Sequence, residues 1–106
     1  MNNAPEVVRF KDPLTIRSMS ALHRELLQSL EASEAVALEI PTDAQVDISF
    51  VQLIEAARRY ALSKDKAINL INPADGELLD VLRRGGFLDA ISAGNAEFWL
   101  HQGKMQ

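Results

Sequence analysis

The chain has 106 residues, of which 47% are hydrophobic, and this predicts one domain over residues 1–106 with one core. It has no cysteine, which excludes a disulfide framework, a thiolate metal site and a cysteine nucleophile. The 11 basic and 15 acidic residues give a formal net charge of −4, which argues against nucleic acid as a partner because phosphate binding needs a surplus of Lys and Arg on one face. The start, MNNAPEVVRF, lacks the pattern of a signal peptide and no apolar run is long enough to span a bilayer, so we expect a cytoplasmic protein without direct membrane insertion.

A short strand followed by a helix is predicted at the start of the chain. The run VVRF (residues 7–10) is β-branched and aromatic, and the nearby Pro13 ends it, which indicates an edge or first strand. Apolar residues then recur at three-and-four spacing, which predicts a helix over residues 16–33. Thr15 or Ser18 is a suitable N-cap for this helix.

A buried strand and a second helix are predicted in the middle of the chain. The nearly all-apolar run AVALEI (residues 35–40) is followed by Pro41 and predicts a central strand. Helical spacing returns after Asp47. Ser49 and Gln52 fit a capping box, in which the serine caps the third helical N–H and the glutamine reaches back to the N–H of the cap. The apolar stripe of this helix comprises Phe50, Val51, Leu53, Ile54, Ala57, Tyr60 and Ala61.

A second buried strand, a short helix and a last strand are predicted after the central helix. The run AINLIN (residues 67–72) is expected to pair in parallel with residues 35–40, because a strand–helix–strand unit with short connections closes with a right-handed crossover. Asp75 is a suitable N-cap for a short helix that ends at Gly85 and Gly86. The run EFWLHQ (residues 97–102) indicates a last strand.

The order of these elements predicts an α/β fold. Helices separate the strands, and parallel strands need such crossover connections. We expect a mostly parallel central sheet of about four or five strands, with about three or four helices packed against it.

The sequence carries no pattern that indicates an enzyme, a metal site or a bound cofactor. His23 and His101 lie far apart, without the spacing of paired metal ligands, and His23 is interpreted as a solvated helix residue. Asp43 and Asp47, with Glu39 nearby, lack the glycine turn and the bidentate glutamate of a calcium loop. A small enzyme or nucleotide binder is disfavoured because neither a phosphate loop nor a nucleophile–base pair is present.

Residues 35–87 resemble the STAS domain of anti-sigma factor antagonists. The shared features are an apolar strand, a loop with Asp before a helix, a second strand after that helix, and an ending of the form L-x-x-x-L-x-x-x-G-F. Residues 16–33 match more loosely. The resemblance implies a small STAS-like fold and a non-enzymatic protein–protein interaction module of bacterial signalling. In that family the motif D-S-[ST]-G-L opens the central helix, and the first Ser or Thr after the aspartate is phosphorylated by an anti-sigma-type kinase.

The match to this motif is partial. Asp47 stands at the position of the family's aspartate and Ser49 at that of its second hydroxyl. Ile48 occupies the phospho-acceptor position, and because isoleucine has no hydroxyl, the usual switch is absent unless a kinase uses Ser49. We interpret Ser49 as an N-cap, with phosphorylation as the alternative. Phe50 replaces a glycine or another small residue, so a docking partner meets more bulk there or uses the ring as an apolar anchor.

The resemblance also implies a protein partner. The pattern over residues 44–61 is most similar to stand-alone bacterial STAS proteins associated with chemotaxis or signalling clusters, whose partner is a signalling kinase or an anti-sigma-type kinase. The alternative is the soluble STAS component of a phospholipid transport ABC complex, with a transport ATPase subunit as partner. The residues expected to contact the partner are Asp43, Gln45, Asp47, Ile48, Ser49, Phe50 and Gln52.

Overall fold

The computed structural model describes residues 4–102, which form a parallel sheet and four α-helices, so the predicted α/β class is confirmed. The strands are β1 (Glu6–Arg9), β2 (Ala35–Glu39) and β3 (Ala67–Leu70). The helices are α1 (Met19–Ala32), preceded by a 3-10 turn (Ile16–Ser18), α2 (Ile48–Ser63), α3 (Gly76–Arg84) and α4 (Ala93–Leu100). None of these helices is long and apolar enough to cross a membrane.

The sheet has the order β1–β2–β3, with β2 in the centre and β2 parallel to β3, as predicted. Its register places Val8, Leu38 and Leu70 opposite one another, and all three are buried on the face that α1 and α2 cover. Successive side chains of a strand point to opposite faces. The other face therefore carries the exposed Val7 and the half-buried Ala37.

The core lies between the sheet and the helices. Leu14, Phe50 and Trp99 are among the largest side chains that are fully buried. The Phe50 ring of α2 packs edge to face on Phe10, which follows β1, with ring centroids 5.4 Å apart and planes at 88°. This aromatic pair joins the start of α2 to the end of the first strand.

The predicted count of four or five strands is wrong for the described part of the chain, which contains three. The segment EFWLHQ, predicted to be a strand, lies in α4 and the turn that follows it. The Ser92 hydroxyl accepts a backbone N–H of the first turn of α4 at 3.1 Å, and the helix ends at His101, whose φ of 56° is left-handed. Trp99 is buried, and its indole N–H donates to Glu55 of α2 at 2.8 Å. These contacts hold the segment as a helix against α2.

Candidate functional site

The loop between β2 and α2 (residues 40–47) lies at the carboxyl edge of the sheet, where the connections after the parallel strands meet. The connection after β1 fixes one side of this loop. The Leu14 N–H donates to the Gln45 carbonyl at 2.7 Å, and the Asp47 N–H donates to the Leu14 carbonyl at 3.2 Å. The Asp12 carboxylate accepts from the Gln45 N–H at 2.7 Å.

The start of α3 fixes the other side of the loop. The Glu77 carboxylate accepts from the Val46 N–H at 3.4 Å. Gly76 has a φ of +56°, and a Cβ atom on it would lie 2.5 Å from the carbonyl oxygen of Thr42. Glycine is therefore required for this close approach. Because neighbouring connections hold the loop from both sides, its surface is preorganised for binding.

Asp47 is the N-cap of α2. One carboxylate oxygen accepts from the Ser49 N–H at 3.0 Å and from the Ser49 hydroxyl, and the other accepts from the Ile16 N–H at 2.9 Å. The predicted Ser49 cap is wrong, since Ser49 lies inside the first turn and both of its donors serve Asp47. The carboxylate thus joins the start of α2 to the 3-10 turn.

The environment of Asp47 lowers the pKa of its carboxyl overall. Burial raises this pKa, but hydrogen bonds from the Ser49 hydroxyl and from the backbone N–H groups of Ile16, Ser49 and Phe50 together outweigh that effect. The carboxylate is therefore charged at neutral pH and is a weak proton acceptor. It orients the Ser49 hydroxyl as a donor and does not activate it as a nucleophile.

Asp47→Asn is expected to destabilise the protein at pH 7 and to have a smaller effect in acid. Asparagine can cap a helix, but its amide nitrogen cannot accept a hydrogen bond. The variant therefore loses either the bond from the Ile16 N–H or the two bonds from Ser49. The folded pKa of Asp47 is lowered, so its charge stabilises the fold above the unfolded pKa of about 3.9, and this contribution is lost as the pH falls through the folded pKa. Urea unfolding of both proteins at pH 7 and at roughly pH 3 measures the change. A difference that stays constant with pH would show that the charge contributes nothing.

The residues predicted to contact a partner differ in exposure. Asp43, Gln45, Ile48 and Gln52 are exposed, whereas Asp47 and Ser49 are half-buried. Phe50 has no exposed surface. The alternative in which its ring serves as an apolar anchor for a partner is therefore wrong, because the core already contains the ring.

Ile16 joins the candidate site although the sequence placed it on the apolar side of a helix. It lies in the 3-10 turn, where its side chain is 67% exposed, and its N–H reaches Asp47, 31 residues later. Ile48, which follows Asp47 directly, is 40% exposed. We call Ile16, Asp47 and Ile48 the Asp47 surface.

A groove of about 390 Å³ extends from the Asp47 surface to α3. It combines apolar side chains with charged groups of both signs. Its lining includes Val46, Asp47, Ile48, Glu77, Val81 and Arg84. Apolar contacts combined with charged groups are typical of protein–protein interfaces.

The residues weighed for metal binding lie apart. No group of three or more His, Asp or Glu side chains that could hold a metal ion occurs among residues 4–102. Glu39 pairs with Arg9 at 3.2 Å, and Asp43 is exposed. His23 is exposed on α1, while the ring of His101 lies 3.1 Å from a backbone carbonyl of β3.

Comparisons of the chain with protein-family models, with curated proteins and with solved structures find no match. The candidate site combines a fixed loop, a carboxylate with a lowered pKa that caps a helix, and two exposed isoleucines beside it.

Proposed function

We propose that the chain is a non-enzymatic protein–protein interaction module of the STAS type, working in the cytoplasm, that docks a signalling kinase through the Asp47 surface. The observation that carries this proposal is the combination of two exposed isoleucines with a fixed carboxylate. Ile16 and Ile48 are 67% and 40% exposed, and the carboxylate of Asp47 accepts hydrogen bonds on both of its oxygens.

Each part of this surface favours docking for a physical reason. Burying an exposed isoleucine side chain against a partner contributes about 25 cal/mol per Å² of apolar area removed from water. A charge beside such an anchor selects a partner with a complementary group. Because neighbouring connections already hold the loop in place, binding does not incur the conformational-entropy cost of ordering it.

The proposed docking uses the unphosphorylated form of this surface. Ile48 has no hydroxyl to receive a phosphate. A phosphate on Ser49 would add a charge of about −1.5 to −2 beside the Asp47 carboxylate that now accepts from the Ser49 hydroxyl. Repulsion between these groups would break the cap of α2, so a phosphorylated Ser49 would damage the surface that a partner needs.

Ile48→Glu is expected to reduce partner recovery by about thirtyfold, the effect of losing a hot-spot side chain. Glutamate suits the first turn of a helix, so the fold should be unaffected. Val7→Glu is the matched control, since Val7 is 36% exposed on β1 and borders neither the Asp47 surface nor its groove. The tagged proteins are used to capture partners from cells of the native organism, and mass spectrometry identifies the captured proteins.

The identity of the captured protein decides between the candidate partners. A kinase that is recovered with the wild type and with Val7→Glu, but not with Ile48→Glu, supports the proposal. A transport ATPase subunit with the same dependence on Ile48 selects the transport alternative instead. Equal recovery by both variants, at equal thermal stability, would show that the Asp47 surface does not bind the partner.

A further inference from the structure

A second concave surface lies between α2, β3 and α4 and shares no residue with the Asp47 surface. Its volume is about 490 Å³. Ile68 and Asn69 both border this cleft although adjacent residues of a strand point to opposite faces of the sheet. The cleft therefore runs along the outer edge of β3.

This edge of β3 presents backbone groups that β2 does not use. The hydrogen bonds to β2 come from alternate residues, with the N–H groups of Ala67 and Ile71 donating to carbonyls on the β2 side at 2.9 Å. The N–H groups of Ile68 and Leu70 consequently point the other way. No strand lies beside them within residues 4–102, while the Leu70 carbonyl is covered by the ring of His101.

Positive charge borders the cleft. Arg59 is exposed and forms no ion pair within the described chain, and Lys66 donates to the Ser33 carbonyl at 2.9 Å. The first turn of α4, at Gly94, adds the positive end of a helix dipole. The carboxylate of Glu55 is already bound to Arg58 and Trp99, and Glu97 is the other acidic residue at the border.

We propose that the outer edge of β3 binds an extended acidic peptide segment of a partner protein as a fourth strand. The N–H and C=O groups of Ile68, which have no hydrogen-bond partner within residues 4–102, supply the main-chain pairing, and Arg59 and Lys66 attract the acidic side chains. A second copy of this chain fits less well, because two-fold pairing of β3 with itself would bring the same cations together.

Titration of the labelled full chain with a synthetic peptide, acetyl-(Glu-Val)₃-amide, tests this proposal by NMR. The amide signals of Ile68 and Leu70 are expected to shift, and the matching (Lys-Val)₃ peptide is expected to bind at least about tenfold more weakly. Arg59→Glu is expected to weaken binding of the acidic peptide by about tenfold. Arg24→Glu, the same change at an exposed position of α1, should leave binding unchanged.

Two N-methylated forms of the acidic peptide test strand pairing separately from charge. One form is methylated at the glutamates and the other at the valines. Only alternate N–H groups of an added strand face its neighbour, so one form should bind like the parent and the other should lose binding. Equal binding of the lysine peptide, equal loss for both methylated forms, or no shift at Ile68 overturns the proposal, as does a dimer joined through β3.

Discussion

Phe50→Ala is expected to lower the free energy of unfolding by about 3–5 kcal/mol, the usual cost of removing a buried phenyl ring. The ring has no exposed surface and packs edge to face on Phe10. Its removal leaves a cavity between α2 and the end of β1 that a packed core fills only in part. Because the free energy of unfolding of a domain is only about 5–15 kcal/mol, the variant should be marginally stable. Urea unfolding followed by far-UV circular dichroism measures the loss.

Ile48→Ala is the matched control for this measurement. Ile48 lies two positions before Phe50 but is 40% exposed, so its truncation should change stability by no more than about 0.5 kcal/mol. Phe50→Leu keeps most of the side-chain volume and gives a measurable intermediate loss if the alanine variant does not fold. If Phe50→Ala were as stable as Ile48→Ala but no longer recovered a partner, the ring would belong to an interface and not to the core.

Phe50 also shows where two kinds of sequence reasoning diverge. Helical spacing placed it in one apolar stripe with Val51 and Ile54, and all three side chains are fully buried. The motif register of the STAS resemblance placed the same residue at a docking position. Periodicity reports which side of a helix meets the core, whereas a motif position carries no information about the surroundings of a substituted side chain. The strands and helices from α1 to α3 occur where apolar runs and periodicity placed them. The prediction that the third strand is buried is wrong, because β3 lies at the edge of the sheet and only its Leu70 is buried.

The N-cap of α2 was not predictable, because a long-range contact decides it. Asp47 and Ser49 are both good N-cap residues by type, and local sequence cannot rank them. Asp47 also accepts from the N–H of Ile16, 31 residues earlier. The same contact brings Ile16 into the candidate site, which no local pattern indicates.

The last element was mispredicted because a short apolar segment carries too little periodicity to separate a strand from a helix. The evidence for a helix lies outside the segment. Ser92 caps the first turn, and Trp99 bonds to Glu55, which lies 44 residues away on α2. A helix of this length gains most of its stability from such tertiary packing.

Trp99→Ala is expected to lower the free energy of unfolding by about 3–5 kcal/mol and to detach α4 from α2. Trp99 is 1% exposed, and its indole N–H donates to Glu55 at 2.8 Å. Its carbonyl accepts from the Ala74 N–H at 2.7 Å, and its ring packs edge to face on Phe98 with centroids 5.0 Å apart. Truncation removes the packing and, among residues 4–102, leaves Glu55 with Arg58 as its one side-chain donor, at 3.0 Å.

Trp99→Phe separates the packing of the indole from its hydrogen bond. It retains an aromatic ring but has no N–H, so the expected loss is about 1–3 kcal/mol, the range for losing a hydrogen bond to a charged group or leaving its partner unmet. Circular dichroism measures unfolding for all three proteins, and amide exchange over residues 96–100 reports whether α4 opens before the rest of the domain. In Trp99→Ala these amides should exchange faster than those of β2, and in Trp99→Phe they should remain protected. If the alanine variant showed neither the stability loss nor faster exchange, Trp99 would not be the residue that holds α4 in place.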